Sequence, residues 1–264
     1  MVDTYIIAEI GINHMGDVNK AKKLIEQAAG YGVDAVKFQT YNTDKRVSKK
    51  DKLYNILKKC ELDKESHLKL QEVAKENGID FISTPFDIES LELLQSMDVP
   101  LIKVSSFDVT NTKFLRKIAK TGIPVIMSTG MCSAKEIERA YKIFKRERVM
   151  YYLLHCVSAY PVLHLEYLNL SAIRNLKTIF KCPVGYSDHS KNKDIPAYAV
   201  LAGAEVIEVH FSDRPDVPDG KVSLIGDELE YVVQSIREVE SILGMGEIEL
   251  MDIEADTVNY RRFS

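Results

Sequence analysis

Val184-Gly-Tyr-Ser-Asp-His189 and Val206-Ile-Glu-Val-His-Phe211 decide how this chain is read. Each run starts apolar and β-branched, turns polar, and carries a histidine at its end; a helical stretch from about Ile195 to Gly203 lies between them. Two parallel strands around a helix make a βαβ unit. Alternate strand residues share a face, so Ser187 points with His189 and Glu208 with His210. Imidazoles at adjacent strand ends are able to hold one divalent ion while leaving positions open for substrate. The competing reading is two core histidines, each hydrogen-bonded to a neighbour, and spacing alone does not separate the two.

The rest of the chain repeats that unit. The first strand runs from Tyr5 to Glu9, and a helix from Val18 to Tyr31 follows it with Asp17 as N-cap. Gly11 and Gly16 have the spacing of a P-loop, but Asp17-Val18 stands where Lys-Ser/Thr must follow, and there is no G-x-G-x-x-G, so nucleotide binding has no support. The second strand, Ala35 to Gln39, puts Lys37 and Gln39 on one face and Val36 and Phe38 on the other. A lysine inside an apolar run is costly to bury unpaired, and the fourth strand, Leu101 to Ser106, repeats the device with Lys103. The long connection Thr40 to Leu62 is rich in lysine, which reads as a solvated surface or as a lid. A helix from Lys64 to Asn77, a strand from Asp80 to Phe86, a helix opened by Asp87, a strand from Pro124 to Gly130, a capping box at Ser133 and Glu136, and a strand from Tyr151 to Ser158 complete the series. Eight strands, each followed by a helical pattern, predict a TIM (β/α)8 barrel over residues 1–244, with the last helix at Asp227 to Leu243 and a polar tail at 245–264. An open doubly wound sheet is the rival, and it lacks the expected glycine-rich nucleotide turn.

Composition agrees. The 264 residues are 45% hydrophobic and 28% charged, enough chain for one such barrel. A net charge of −4 and the absence of a basic stripe exclude a general affinity for nucleic acid or anionic membrane. Cys60, Cys132, Cys156 and Cys182 show neither zinc-site spacing nor disulfide density, which predicts a reduced, cytoplasmic protein. The N-terminus has no basic n-region, and the longest apolar run, Met150 to Leu163, is too short and too interrupted to span a bilayer. The expected partners are small molecules or other subunits, a homodimer among them.

In a TIM barrel the active site lies at the C-terminal strand ends. Those ends carry Glu9, Lys37, Gln39, Thr84, Lys103, Ser105 or Ser106, Ser128, Ser158, Tyr160, Ser187, His189, Glu208 and His210. Singly each has a structural use: serines cap helices, Glu9 pairs with a lysine, Tyr160 packs on a loop. Together they suit a small ligand bearing phosphate and carboxylate beside a divalent metal.

Seven motifs in order, Ala8-Glu-Ile-Gly-Ile-Asn-His14, Val36-Lys-Phe-Gln-Thr40, Ser83-Thr-Pro-Phe-Asp87, Met127-Ser-Thr-Gly-Met131, His155-Cys-Val-Ser-Ala-Tyr-Pro161, Gly185-Tyr-Ser-Asp-His189 and Glu208-Val-His-Phe211, resemble the sialic acid synthase family over nearly the whole chain. That resemblance implies a cytoplasmic enzyme of cell-surface carbohydrate synthesis. It would condense phosphoenolpyruvate with an N-acetylated amino sugar into a nine-carbon 2-keto-3-deoxy acid. It also implies that Lys37, Lys103, Ser106, Ser128, Ser158, Tyr160 and Ser187 surround phosphoenolpyruvate with Gln39 nearby, and that Glu9 stands beside the reacting carbons. His189 and His210 would bind Mn²⁺, or Mg²⁺ or Co²⁺, and Asp219 would face the sugar. Three departures stand out: Val209 replaces a lysine, Asp108 replaces a glutamate expected at the sugar, and the family's C-terminal antifreeze-like domain is not found after a tail ending Tyr260-Arg-Arg-Phe-Ser264. A barrel that condenses phosphoenolpyruvate with a phosphorylated sugar would need further basic residues with no evident source. The alternative of another class is a non-catalytic paralogue kept as a binding or assembly subunit.

Overall fold

The computed structural model describes residues 3–244 and 246–262. Its elements run β1 (Tyr5–Gly11), α1 (Val18–Gly30), β2 (Ala35–Thr40), α2 (Thr43–Arg46), α3 (Tyr54–Cys60), α4 (Lys64–Glu76), β3 (Asp80–Pro85), α5 (Ile88–Ser96), β4 (Ile102–Val104) and α6 (Thr112–Lys120). Then follow β5 (Val125–Ser128), α7 (Ala134–Arg146), β6 (Tyr151–His155), α8 (Ser171–Phe180), β7 (Val184–Asp188), α9 (Ile195–Leu201), β8 (Val206–Ser212), β9 (Leu224–Ile225) and α10 (Glu228–Leu243). Strands β1 to β8 pair in sequence order, all parallel, and β1 pairs with β8 to close the ring. This is the TIM barrel the strand series predicts. The short β9 extends the end of β8.

The helix starts follow the expected capping chemistry. Asp17 accepts from Asn19 N at 2.8 Å, Asp87 from Ser90 N at 2.9 Å, and Ser133 N donates to Glu136 at 2.8 Å. Differences lie at the strand ends. Sequence reading carries β4 to Ser106 and β6 to Ser158; here β4 stops at Val104 because Ser106–Asp108 turn into a 3-10 helix, and β6 stops at His155. The Thr40 to Leu62 connection contains α2 and α3 and folds back on the barrel mouth, burying Ile12, Tyr41, Leu57 and Cys60 together. The 246–262 segment carries two 3-10 turns and is largely exposed; Phe263 and Ser264 of the tail lie outside the described residues. Among the described residues no helix is long and apolar enough to cross a membrane.

Strand alternation divides the apolar residues into two layers. Ile7, Ala35, Ile82, Ile126, Leu154 and Val206 fill the lower barrel interior. Ile6, Val36, Phe38, Phe81, Val104 and Val209 face outward into the shell of helices. Val209 is therefore comfortable where the resembling family has lysine. Gly185 is required by this closure: a Cβ there would lie 2.2 Å from the carbonyl oxygen of Val206 and 2.6 Å from Leu154 Cδ2. Above the apolar plug the interior turns polar at one level, because parallel register sets Glu9 beside Lys37 and His210, and Ser187 beside Glu208.

Two histidines outside the barrel mouth are buried neutral. His14 Nδ1 accepts from Gly16 N at 3.0 Å, and burial pushes the ring down to about 4. His67 bridges Thr40 Oγ1 and the Asp63 carbonyl, and burial lowers it too. A folded-state value below the unfolded one means that the unfolded chain binds protons first as pH falls, so stability is intact above about pH 6.5 and is lost from there down to about pH 4. We expect denaturant midpoints to be level above neutrality and to fall in that window, with His14 alone accounting for about 3 kcal/mol at its lower end. His14→Asn, which retains an acceptor for Gly16 N–H, should flatten the fall; an unchanged pH slope would show that His14 is protonated in the fold.

Candidate active site

At the C-terminal mouth of the barrel two lysines and two glutamates share a chamber of about 100 Å³. Lys37 Nζ lies 2.7 Å from Glu9 Oε2 and 3.7 Å from Glu208 Oε2, and is 3.4 Å from Thr84 Oγ1. Lys103 Nζ lies 3.6 Å from Glu208 Oε1 and donates to Ser128 Oγ at 2.7 Å. Ser187 Oγ donates to Glu208 Oε1 at 2.9 Å. All four charged groups are at most 4% exposed. Glu208 thus bridges the two lysines. Glu208 supplies a second carboxylate beside Glu9, and it belongs to the site although the resemblance assigns it no role.

The electrostatics follow from burial and pairing. Burial pushes the Glu208 carboxyl up, but Lys103 and Lys37 outweigh it and hold it well below the usual carboxylate range. For Glu9, with one close lysine, burial wins and the carboxyl is raised. Lys37 is raised by Glu208 and Glu9 against burial, whereas Lys103 is lowered because burial exceeds the help it receives from Glu208. Within one chamber the two carboxyls are pushed in opposite directions, and so are the two ammonium groups.

The imidazoles sit on the adjoining wall. The ring centroids of His189 and His210 are 5.4 Å apart, and Tyr160 stacks on His189 at 4.2 Å. His189 Nδ1 donates to the Val157 carbonyl at 2.8 Å, which leaves Nε2 with its lone pair; burial and His210 hold the ring neutral, down to about 4. His210 Nδ1 lies 3.5 Å from Asp219 Oδ2, and Asp219 raises it against the effect of burial. Asn13 fixes that loop, accepting from Asp219 N at 3.0 Å and donating to the Phe211 carbonyl and Ser223 Oγ. Among the described residues no group of three His, Cys, Asp or Glu is arranged around one point. The two histidines fit an ion whose remaining positions belong to substrate and water.

Hydroxyls line the opposite wall. Ser106 Oγ accepts from Gly130 N at 3.0 Å and lies 3.3 Å from Cys156 Sγ. Ser158 Oγ is buried without a hydrogen-bond partner. A Cβ on Gly130 would come within 2.3 Å of that hydroxyl, so glycine is what admits Ser158. Glu9, Lys37, Gln39, Lys103, Ser106, Ser128, Tyr160, Ser187, His189 and His210 all line the chamber, whereas Ser158 lies buried behind Gly130 and is not among the lining residues. Asp108 and Asp219 instead face an outer cavity of about 540 Å³ that opens from it. Sequence reading missed Arg46, which α2 carries to the boundary of the two; it lies in the lysine-rich connection taken for solvated surface, and nothing in its local pattern sets it apart.

Replacing Glu208 with Gln leaves two buried ammonium groups facing Glu9 alone. The variant should lose about 3 to 5 kcal/mol by denaturant titration, whereas Ser187→Ala, which removes one charge-assisted hydrogen bond, should lose roughly 1.5 to 3 kcal/mol. Equal and small losses would show that water compensates the lysines.

Comparison with known proteins agrees with this geometry. The profile of the NeuB family matches residues 24–248. The chain is 40% identical to the N,N'-diacetyllegionaminic acid synthase of Campylobacter jejuni, over 100% of this chain and 84% of that one. It is 35% identical to the human N-acetylneuraminate-9-phosphate synthase, over 95% of this chain and 74% of that one. A crystal structure of N-acetylneuraminic acid synthetase from Leptospira borgpetersenii, in complex with citrate, superposes with a TM-score of 0.94 at 39% identity, covering 98% of this chain and 91% of that one. On the match of its sequence to the family profile and to these relatives, the chain belongs to the NeuB family.

Proposed function

We propose that this chain condenses phosphoenolpyruvate with an N-acetylated amino sugar to give a nine-carbon 2-keto-3-deoxy sugar acid and phosphate. One observation carries the reading: two buried lysines and the hydroxyls of Ser106, Ser128 and Ser187 converge beside two imidazoles at the mouth of a barrel. The names of the relatives, synthases of sialic and legionaminic acids, support it.

Phosphoenolpyruvate brings a phosphate and a carboxylate into a chamber whose lysines are already paired. Lys37 and Lys103 turn N–H donors to the ligand, Ser106, Ser128 and Ser158 add neutral donors, Ser187 closes the wall with its O–H given to Glu208, and Glu9 accommodates the added negative charge by holding a proton, as its raised affinity allows. A divalent ion, Mn²⁺ or alternatively Mg²⁺ or Co²⁺, would be held by His189 and His210, where it supplies polarisation of the sugar's aldehyde oxygen. C3 of the enol then forms a bond to that aldehyde carbon, and water adds to the cationic C2. Glu9 gives its proton to the alkoxide which the new bond leaves on the former aldehyde carbon and, ionised beside Lys37, stabilises the charge at C2 and takes the proton of that water. The resulting tetrahedral centre expels phosphate, whose charge Lys103 with Ser128 neutralises. Tyr160, stacked on His189, fixes the imidazole plane, and Asp219, Asp108 and Gln39 face the sugar side. All four thiols are free, which supports a reducing, cytoplasmic setting; a homodimer is part of the same proposal.

A non-catalytic subunit is disfavoured, because a protein that merely binds gains nothing from the desolvation of a lysine pair and two glutamates. Incubation with phosphoenolpyruvate, Mn²⁺ and a panel of N-acetylated hexosamines should release phosphate only when the sugar is present, and chelation should stop it. Lys103→Ala should raise the phosphoenolpyruvate Kd at least about tenfold, since a charge-assisted contact is worth roughly 1.5 to 3 kcal/mol. Tight phosphoenolpyruvate binding without release for any sugar would favour the non-catalytic reading. Metal analysis after Mn²⁺ loading, compared with His189→Ala and His210→Ala, tests the ion independently; equal loading in all three would place the metal elsewhere.

A further inference from the structure

Among the described residues Arg46 is the one cation that lines both cavities. Its guanidinium carbon sits 3.6 Å from the centroid of the Phe86 ring and 4.6 Å from that of Tyr41, and its NH1 donates to Gln39 Oε1 at 2.9 Å. Among the described residues this is its one side-chain hydrogen bond, and no carboxylate forms an ion pair with it. The contrast with the chamber is sharp: Lys37 and Lys103 are matched by Glu9 and Glu208, while Arg46 is half-buried and unmatched. A guanidinium has five N–H donors in a rigid fork, and an aromatic clamp with one amide contact orients it while leaving most of those donors for something else.

The surroundings say what that partner is. The outer cavity is walled by Val47, Leu53, Ile56 and Phe107, and Asp108 and Asp219 also line it. An anionic substituent is opposed there, because two carboxylates line the cavity and the other cation, Lys45, is tied to Glu89 at 2.5 Å. A neutral ligand with carbonyl and hydroxyl oxygens for Arg46, hydroxyl donors for the carboxylates, and methyl groups for the apolar wall satisfies every group.

We propose that Arg46 is a substrate-contact and specificity residue that seats an unphosphorylated acylamino sugar at the junction of the cavities, its guanidinium donating to the acyl carbonyl or a ring hydroxyl. The inference rests on the proposed reaction for the sugar's presence, and it adds which residue reads the sugar and that the sugar is neutral. It also explains why the α2–α3 excursion folds over the mouth: it delivers the guanidinium and the apolar wall on one segment.

Steady-state kinetics with Mn²⁺, phosphoenolpyruvate, N-acetylated hexosamines and one hexosamine 6-phosphate test it. Arg46→Met preserves the aliphatic body between the rings; it should raise the sugar KM about tenfold or more and leave the phosphoenolpyruvate KM within about twofold. Arg46→Lys, which restores charge without the fork, should recover part of the loss. An unchanged sugar KM, a phosphoenolpyruvate KM rising in step with it, or a wild-type preference for the 6-phosphate that vanishes in Arg46→Met would each overturn the proposal. Calorimetry separates it from the reaction itself. If the wild type binds phosphoenolpyruvate yet turns over no sugar, the proposed function fails, and sugar binding to the phosphoenolpyruvate-loaded protein still decides Arg46: weaker binding in Arg46→Met sustains the contact, and equal binding ends it.

Discussion

The Glu208 carboxylate, held between Lys37 and Lys103 and tied down by Ser187, is the interaction on which the rest of this site depends. Two ammonium groups cannot be brought into one buried chamber without a counter-ion, since the desolvation of each costs several kcal/mol and their mutual repulsion adds to it. Glu208 provides that counter-ion from the central level of β8, and the ring closure of β8 on β1 brings Glu9 alongside as the second. The lysines are thereby fixed at the barrel mouth, which suits recognition of a substrate that carries more than one negative charge.

That charged layer needs a rigid floor. Ile7, Ile82, Ile126, Leu154 and Val206 fill the barrel beneath it and keep water from approaching from below. The same exclusion of water moves the neighbouring protons. Burial raises Glu9 while two lysines lower Glu208, so two carboxyl groups on adjacent strands are pushed in opposite directions.

Recognition is divided by depth. The inner chamber is built from strand ends, whose positions the barrel dictates, and it suits the small anion common to any such synthase. The outer cavity is built largely from the α2–α3 excursion and the turn after β4, segments free to vary without disturbing the ring. Arg46 stands where the two meet, stacked on Phe86 and bonded to Gln39. In the proposal made for Arg46, selectivity among sugars lies in a segment whose change costs the barrel little.

Sequence alone determined the architecture and the identity of the strand-end residues. Period-two alternation in Val36-Lys-Phe-Gln39 and Val206-Ile-Glu-Val-His-Phe211 states which side chains point inward, and parallel closure then brings the inward polar ones together without further information. What only the tertiary structure decided depends on partners distant in the chain. Glu208 reads as one more polar strand residue until the β8 register sets it between lysines from β2 and β4. Asp108 and Asp219 read as members of one site until the 3-10 turn after β4 and the loop after β8 turn them to the outer cavity. Arg46 was not legible at all, because a cation in a lysine-rich connection is indistinguishable from solvated surface until the excursion folds back and stacks it on Phe86, a contact that long-range packing alone creates.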